Sequence, residues 1–215
     1  MPAITISRQM GAKGPGIARA LAAELGWDFA DKDTVNKVIR QYGLIRLNEF
    51  YDAPPKIREL FKQDSQLTIE MMNQTIAAIA ARGNTVIMLR GGFVVTRGLV
   101  DVLNVFIKAP LDVRVARIAK RDHLKPEEAA EKVRADDKNR RKFDRLYYDA
   151  DWTDPDSYDL VVNTKNLTSA QAVEKIIEAY HALPSRSTDA PTAETLAIDP
   201  VLAATVEELW NPARP

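Results

Sequence analysis

The sequence predicts an α/β fold, a mostly parallel sheet with helices on both of its faces. Short apolar runs at 3–7, 27–30, 85–89, 104–109 and 158–163 alternate with longer segments of helical periodicity. Apolar strands separated by helices are what a parallel sheet covered on both sides requires. The first run also passes through a bend with glycines at 11, 14 and 16 directly into a helix.

The elements follow in order. Residues 3–7 read as a strand and 15–25 as a helix whose buried stripe is Ile17, Leu21 and Leu25, ended by Gly26. A second short strand covers 27–30, and helical patterning returns over 33–41. Residues 42–55 give no clear pattern, and Pro54-Pro55 marks a break. A long helix is expected over 64–82, with Leu67, Met71, Met72, Ile76, Ile79 and Ala80 inward and Gly83 as its stop. Strands at 85–89 and 104–109 follow, then a helix from Pro110 through Arg121 and another from near Pro126 to about Tyr148. The last strand, 158–163, leads to a helix capped by Thr168 or Ser169 and ending near His181.

Texture changes after Leu183. Residues 184–197 are rich in Pro, Ser, Thr and Ala and read as a tether. Beyond it, 201–210 reads either as a short helix docking through Leu202, Val206, Leu209 and Trp210 or as a disordered tail. The expected organisation is therefore a domain over 1–183 and a linker with a C-terminal tail over 184–215.

Composition narrows the function classes. Apolar residues make up 46% and charged residues 28%, which suits a globular chain with a sizeable core. Thirty basic residues balance thirty acidic ones, so no global field favours nucleic acid or an anionic membrane. The absence of cysteine removes disulfide, thiol and thiolate-metal chemistry, and two scattered histidines argue against zinc. No apolar run approaches the roughly 18 residues of a membrane span. The N-terminus reads as a strand rather than a signal peptide, and the cytoplasm is the expected location.

The bend is the first functional candidate. Strand, glycines and helix together point backbone N–H groups at an anion, and the helix dipole adds attraction. Pro15 suits the first helical position but contributes no N–H. Lys13 and Arg8 would supply positive charge. A tight structural turn with solvated basic residues is the competing reading. A dinucleotide fold fits less well, because the glycine spacing is reversed and no ribose-binding carboxylate follows a second strand.

Arginine supplies the second signal. Arg114, Arg117 and Arg121 share one helical face, and the next helix carries Arg134, Lys138, Arg141 and Arg145 on one stripe. Asp137, Arg140, Asp144 and Tyr148 form the neighbouring stripe. Such concentration is what phosphoryl transfer uses, and helices joined through 123–126 could close over a site as a lid. A solvated basic helix or a nucleic-acid surface are the alternatives, the latter without a recognition motif. Arg90 stands out, since it ends a strand ahead of Gly91-Gly92, where parallel sheets bind ligands. Asp31 and Asp33 follow the second strand and read as ligands for Mg2+ through water, as contacts to an acceptor nucleotide, or as helix caps. Ser7 is the nearest hydroxyl for the ion.

Taken together these pieces resemble the cytidylate kinase-like family, a divergent branch of P-loop nucleoside monophosphate kinases. The resemblance runs from about Ile4 to Ile177 through the 4–11 segment, Gly14, Ile17-Ala18, Leu25-Gly26, Asp31-Lys32-Asp33 and Arg90-Gly91. It continues through 105–110, Asp137 with Arg140, Tyr147-Tyr148 and 158–164. Leu89 stands where the family has the first glycine of Gly-Arg-Gly, and Lys-Gly-Pro-Gly at 13–16 replaces Gly-Gly-Arg-Glu. The resemblance implies a P-loop NTPase-type three-layer sandwich with a five-stranded, mostly parallel sheet and a helical lid over about 118–150. It implies ATP-dependent transfer to CMP or dCMP, with ATP and Mg2+ as cofactors. Arg8, Gly11, Ala12, Gly14, Gly16 and Ile17 would hold the donor phosphates. Asp31, Asp33, Arg90 and Arg97 would face the acceptor. Lys13, Arg121, Arg140 and Arg141 would stabilise the transferring group. The partner expected is a small-molecule nucleotide, with neither nucleic acid nor membrane, and a homodimer is compatible with the sequence. A catalytically weak nucleotide-binding regulator, or an interaction protein acting through the tail, are the alternatives.

Overall fold

The computed structural model describes residues 2–41, 63–183 and 190–210. Its centre is a five-stranded sheet in the order β2-β3-β1-β4-β5, made of β1 (Ala3–Arg8), β2 (Asp28–Ala30), β3 (Thr85–Ile87), β4 (Val102–Lys108) and β5 (Leu160–Asn163). Every pairing is parallel, from Ala3 opposite Thr85 and Val102 to Lys108 opposite Asn163. Parallel neighbours demand crossover connections, and helices provide them. The fold is the three-layer α/β sandwich of the P-loop NTPases.

Residue parity along β1 sets the two layers. Ile4 and Ile6 belong to the core beneath α1 (Gly14–Leu25) and α7 (Ser169–His181), with Ile17, Leu21, Val105, Val173 and Ile176. Ala3 belongs to the opposite core, beneath α2 (Lys32–Gln41) and α3 (Gln63–Arg82), with Val35, Met72, Ile76 and Ile79. Complete burial of each such aliphatic side chain contributes about 1.5–3 kcal/mol. On this second face Asn104 Oδ1 accepts from the hydroxyls of Thr5 and Thr96, each at 2.6 Å.

Helix ends follow local chemistry. Gly26, at φ 64°, closes α1 by donating its N–H to Ala22 and Ala23 carbonyls. Thr168 caps α7 by accepting from the Gln171 N–H at 3.2 Å, in a reciprocal capping box. Between β4 and β5, α5 (Leu111–Asp122) and α6 (Pro126–Tyr148) form an antiparallel hairpin around Ile118, Ala129 and Val133.

Several expectations need correction. Leu67 is 46% exposed, because the inward stripe of α3 runs through Ile69, Met72, Ile76 and Ile79. Strands β3 and β5 are shorter than the apolar runs that predicted them, ending at Ile87 and starting at Leu160. Met88 and Leu89, beyond β3, are apolar because they line the core past the ladder. A one-turn helix, α4 (Gly92–Val95), and a 3-10 turn at Pro155–Ser157 carry too little periodicity to be read. The unpatterned 42–55 stretch lies outside the described residues.

Residues 190–210 pack against the domain. The Val100 N–H donates to Pro191 O at 3.0 Å, and the Ala193 N–H to Asp101 Oδ1 at 2.8 Å. Helix α8 (Pro200–Trp210) buries Leu202 and Val206 against the α3 layer, and the Arg82 guanidinium sits 4.8 Å from the Trp210 ring centroid.

Candidate active site

The bend between β1 and α1 lies at the carboxyl edge of the central strand, tied to its surroundings by contacts that explain its glycines. Gly11 has φ +82°, and a Cβ there would meet the Arg114 carbonyl oxygen at 2.7 Å. At Gly14 a Cβ would meet Cγ of Arg8 at 2.5 Å, so the arginine stem crosses this residue. Gly16 faces open space. Lys13, the N-cap of α1, takes a left-handed conformation and makes no side-chain cap. The first turn of the helix leaves the N–H groups of Gly14 and Gly16 without intrahelical partners, and Pro15 has none.

Carbonyls of the bend already have donors. Arg117 Nη1 donates to Gly11 O at 3.2 Å, and Thr164 Oγ1 to Ala12 O at 3.1 Å. Arg114 is buried and holds Asp137 in a bidentate pair at 3.0 and 2.9 Å while its Nε donates to Ala109 O. These two arginines fasten the bend, α5 and α6 together. Lys13 Nζ donates to Leu167 O at 3.1 Å, on the segment after β5.

Elsewhere the predicted residues divide. Arg121 is exposed and forks onto its neighbour Asp122 at 2.6 and 2.9 Å, and Lys132 reaches the same carboxylate at 2.8 Å. The two cations hold Asp122 far below the usual carboxylate range. Arg141 is exposed, and Arg97 is exposed and reaches Ser157 Oγ at 3.3 Å. Arg140 is largely buried, pairs with Asp136 at 2.7 Å, and lies 5.7 Å from the Trp152 ring centroid. The Arg90 guanidinium sits 5.0 Å from the Phe143 ring centroid.

Arg90 and Arg140 share a neighbour, Asp144, which both attract electrostatically. Asp144 is 3% exposed, and its Oδ1 has no hydrogen-bond partner among the described residues. Burial pushes its carboxyl up to about 7, against the pull of the two guanidiniums. Trp152 Nε1 is likewise buried without a partner among the described residues. Tyr148 roofs Gly91, where a Cβ would overlap its ring, and donates to Asn73 Oδ1 at 2.7 Å. The Tyr158 phenol, which burial pushes up, donates to Trp152 O at 2.8 Å.

Asp31 and Asp33 follow β2, the edge strand, with β3 between it and β1. Asp31 Oδ1 accepts from the N–H groups of Asp33 and Thr34 at 3.0 and 3.4 Å, and Oδ2 lies 3.5 Å from Arg19. It caps α2. Asp33 is exposed in the first turn.

The pattern of the cytidylate kinase-like family matches residues 3–166. The chain belongs to that family. A cytidylate kinase from Ignicoccus hospitalis is 34% identical over 82% of this chain and 97% of its own length. Another, from Sulfolobus acidocaldarius, is 26% identical over 81% of this chain and 91% of its own length. An uncharacterised protein from Eubacterium ventriosum shares the fold, with a TM-score of 0.67 at 20% identity over 84% of this chain and 98% of its own. The family pattern stops before α7 and α8.

Sequence reasoning did not pick out Asp144, Trp152 or Tyr158 as site residues. The spacing of Asp144 from Arg140, one turn along α6, was visible; its burial was not, since that depends on segment 149–158 folding back over the sheet.

Proposed function

We propose that the protein is a nucleotide kinase that transfers the γ-phosphoryl group of ATP to a nucleoside monophosphate, CMP or dCMP. The observation that carries this reading is the pair of guanidiniums, Arg90 and Arg140, gathered around a buried carboxyl near the carboxyl edge of a P-loop sheet. The names of the family's curated relatives support it.

In this reading an oxygen of the acceptor phosphate attacks the γ-phosphorus in line and ADP leaves, with no covalent enzyme intermediate. The bend, with Arg8, Gly11, Ala12, Gly14, Gly16 and Ile17, receives the donor phosphates through the first-turn N–H groups of α1. Arg90 holds the acceptor phosphate, with Arg97, Asp31 and Asp33 on the acceptor side, and Arg140 offsets charge on the transferring group. Lys13, Arg121 and Arg141 contribute only after closure, since Lys13 and Arg121 must first leave Leu167 O and Asp122. The α5–α6 hairpin excludes water when it closes.

Transfer from ATP implies Mg2+. Among the described residues no three acidic or histidine side chains cluster to hold an ion. Asp31 caps a helix. The described residues do not form a protein-built cage for the ion.

A second reading, a nucleotide-binding regulator, is favoured by Pro15 in the bend and by the outward bond of Lys13. Conversion of CMP or dCMP to the diphosphate with ATP and Mg2+ separates the two. Turnover supports the kinase; tight ATP binding without turnover across a nucleotide panel supports the regulator.

A further inference from the structure

Asp144 is a buried carboxyl that the transfer reaction does not use, yet it sits among the residues proposed to perform it. It lies on α6 one turn after Arg140, and its backbone carbonyl accepts N–H groups from Asp149 and Ala150 at the helix end. The side chain is thereby fixed on a closed helix terminus and cannot retreat to solvent. One of its oxygens has no hydrogen-bond partner among the described residues, an uncommon condition for a carboxylate 97% removed from solvent.

Charged and titratable groups surround it from each neighbouring element. Arg90 comes from the segment after β3 and Arg140 from its own helix; Asp151 and Tyr158 come from the chain before β5. Arg140 already pairs with Asp136 at 2.7 Å, which leaves Asp144 partly compensated. An anion arriving between the two guanidiniums would place negative charge against this carboxylate. Like charges in a poorly hydrated pocket do not both remain ionised.

We propose that Asp144 is a specificity-determining residue of the anion site: without ligand its carboxylate is the counter-charge for Arg90 and Arg140, and on phosphate binding it takes one proton from solvent and becomes a hydrogen-bond donor to the anion. The inference rests on the functional reading above, which places the acceptor phosphate at Arg90. Its consequence is a pH-linked affinity. Since burial already raises the carboxyl to about 7, the protonated form is ready near neutrality and grows scarce in alkali. Affinity for a phosphate dianion then falls about tenfold for each pH unit above that midpoint.

The test is calorimetric titration of CMP into the wild-type protein and into Asp144→Asn at pH 7, 8 and 9, in two buffers of different ionisation enthalpy. The phosphate of CMP is doubly charged across this range, its second ionisation lying at about 6. The wild type is expected to take up close to one proton per CMP at pH 8 and to weaken with pH. The variant, isosteric and permanently neutral, is expected to take up none and to bind about tenfold more tightly than wild type at pH 8. Equal proton uptake and equal pH slopes in the two proteins overturn the inference and leave the kinase reading standing. Absence of CMP binding to either protein at every pH overturns the kinase reading, and the inference with it.

Discussion

The glycine bend and the cluster beneath α6 both join arginine to polar backbone, but they differ in how completely their polar groups are satisfied. In the bend, Gly11 O and Ala12 O are held by Arg117 and Thr164, and Arg114 locks Asp137 from below. In the cluster, Asp144 Oδ1 and Trp152 Nε1 are buried with no partner among the described residues. Arg114 and Arg117 therefore build the scaffold that shapes the bend, while Arg90 and Arg140 carry charge beside a carboxyl that is incompletely matched. Arginines that look equivalent along the sequence divide into two kinds of work.

The sharpest way to break this contrast is to remove a scaffold arginine. Arg114→Ala should lower stability by about 3–5 kcal/mol in urea unfolding, because it leaves Asp137 without its buried bidentate partner. A loss below about 1 kcal/mol would place Arg114 outside the scaffold. Next comes Arg90→Ala, which should leave unfolding nearly unchanged in comparison while lowering kcat/KM for CMP about 10²–10³-fold, on the order of 2.7–4 kcal/mol of transition-state stabilisation.

Asp144→Asn gives a smaller effect, with a direction fixed by linkage. The folded-state carboxyl titrates at about 7, above the unfolded value of about 3.9, so the stability it contributes is fully present below about pH 4 and is lost as pH rises through 7. The asparagine variant should match the wild type in acid and exceed it at pH 8, by on the order of 1–3 kcal/mol, the cost of an unsatisfied buried group. Thermal melts at pH 5 and pH 8 measure this; an equal difference at both would contradict it. Lys13→Ala should change stability least, within about 0.5 kcal/mol, since one exposed bond to Leu167 O is lost. A larger change in melting would show that this bond helps close the bend.

The sheet, its parallel sense and six of the helices were legible in the sequence because apolar runs and 3.6-residue stripes are local properties. Helix α6 was readable from Pro126 to Tyr148 since proline opens it and its stripe is continuous. Register of β5 and the turn at 155–157 were not, because Tyr158 stacks on Phe106 and Trp152 packs edge-on against it, contacts that strand pairing does not set. The bend was legible as glycine placed for close approach, but which groups approach was not. Arg8 crosses Gly14 from six positions away, and the backbone of Arg114 lies against Gly11 from more than a hundred. For the same reason, Arg121 looked equivalent to Arg140. The first, itself exposed, forks onto the adjacent carboxylate of Asp122, and the second is enclosed by Trp152 and Asp136.

The most direct test of the account is the initial rate of CDP formation from ATP and CMP, with Mg2+ present, for wild type and for Arg90→Ala confirmed to be folded. The account predicts steady turnover by the wild type and a loss of at least about a hundredfold in the variant. Turnover by both proteins at the same rate would contradict the assignment of Arg90, and absence of turnover in the wild type with CMP, dCMP and the wider nucleotide panel would contradict the kinase itself.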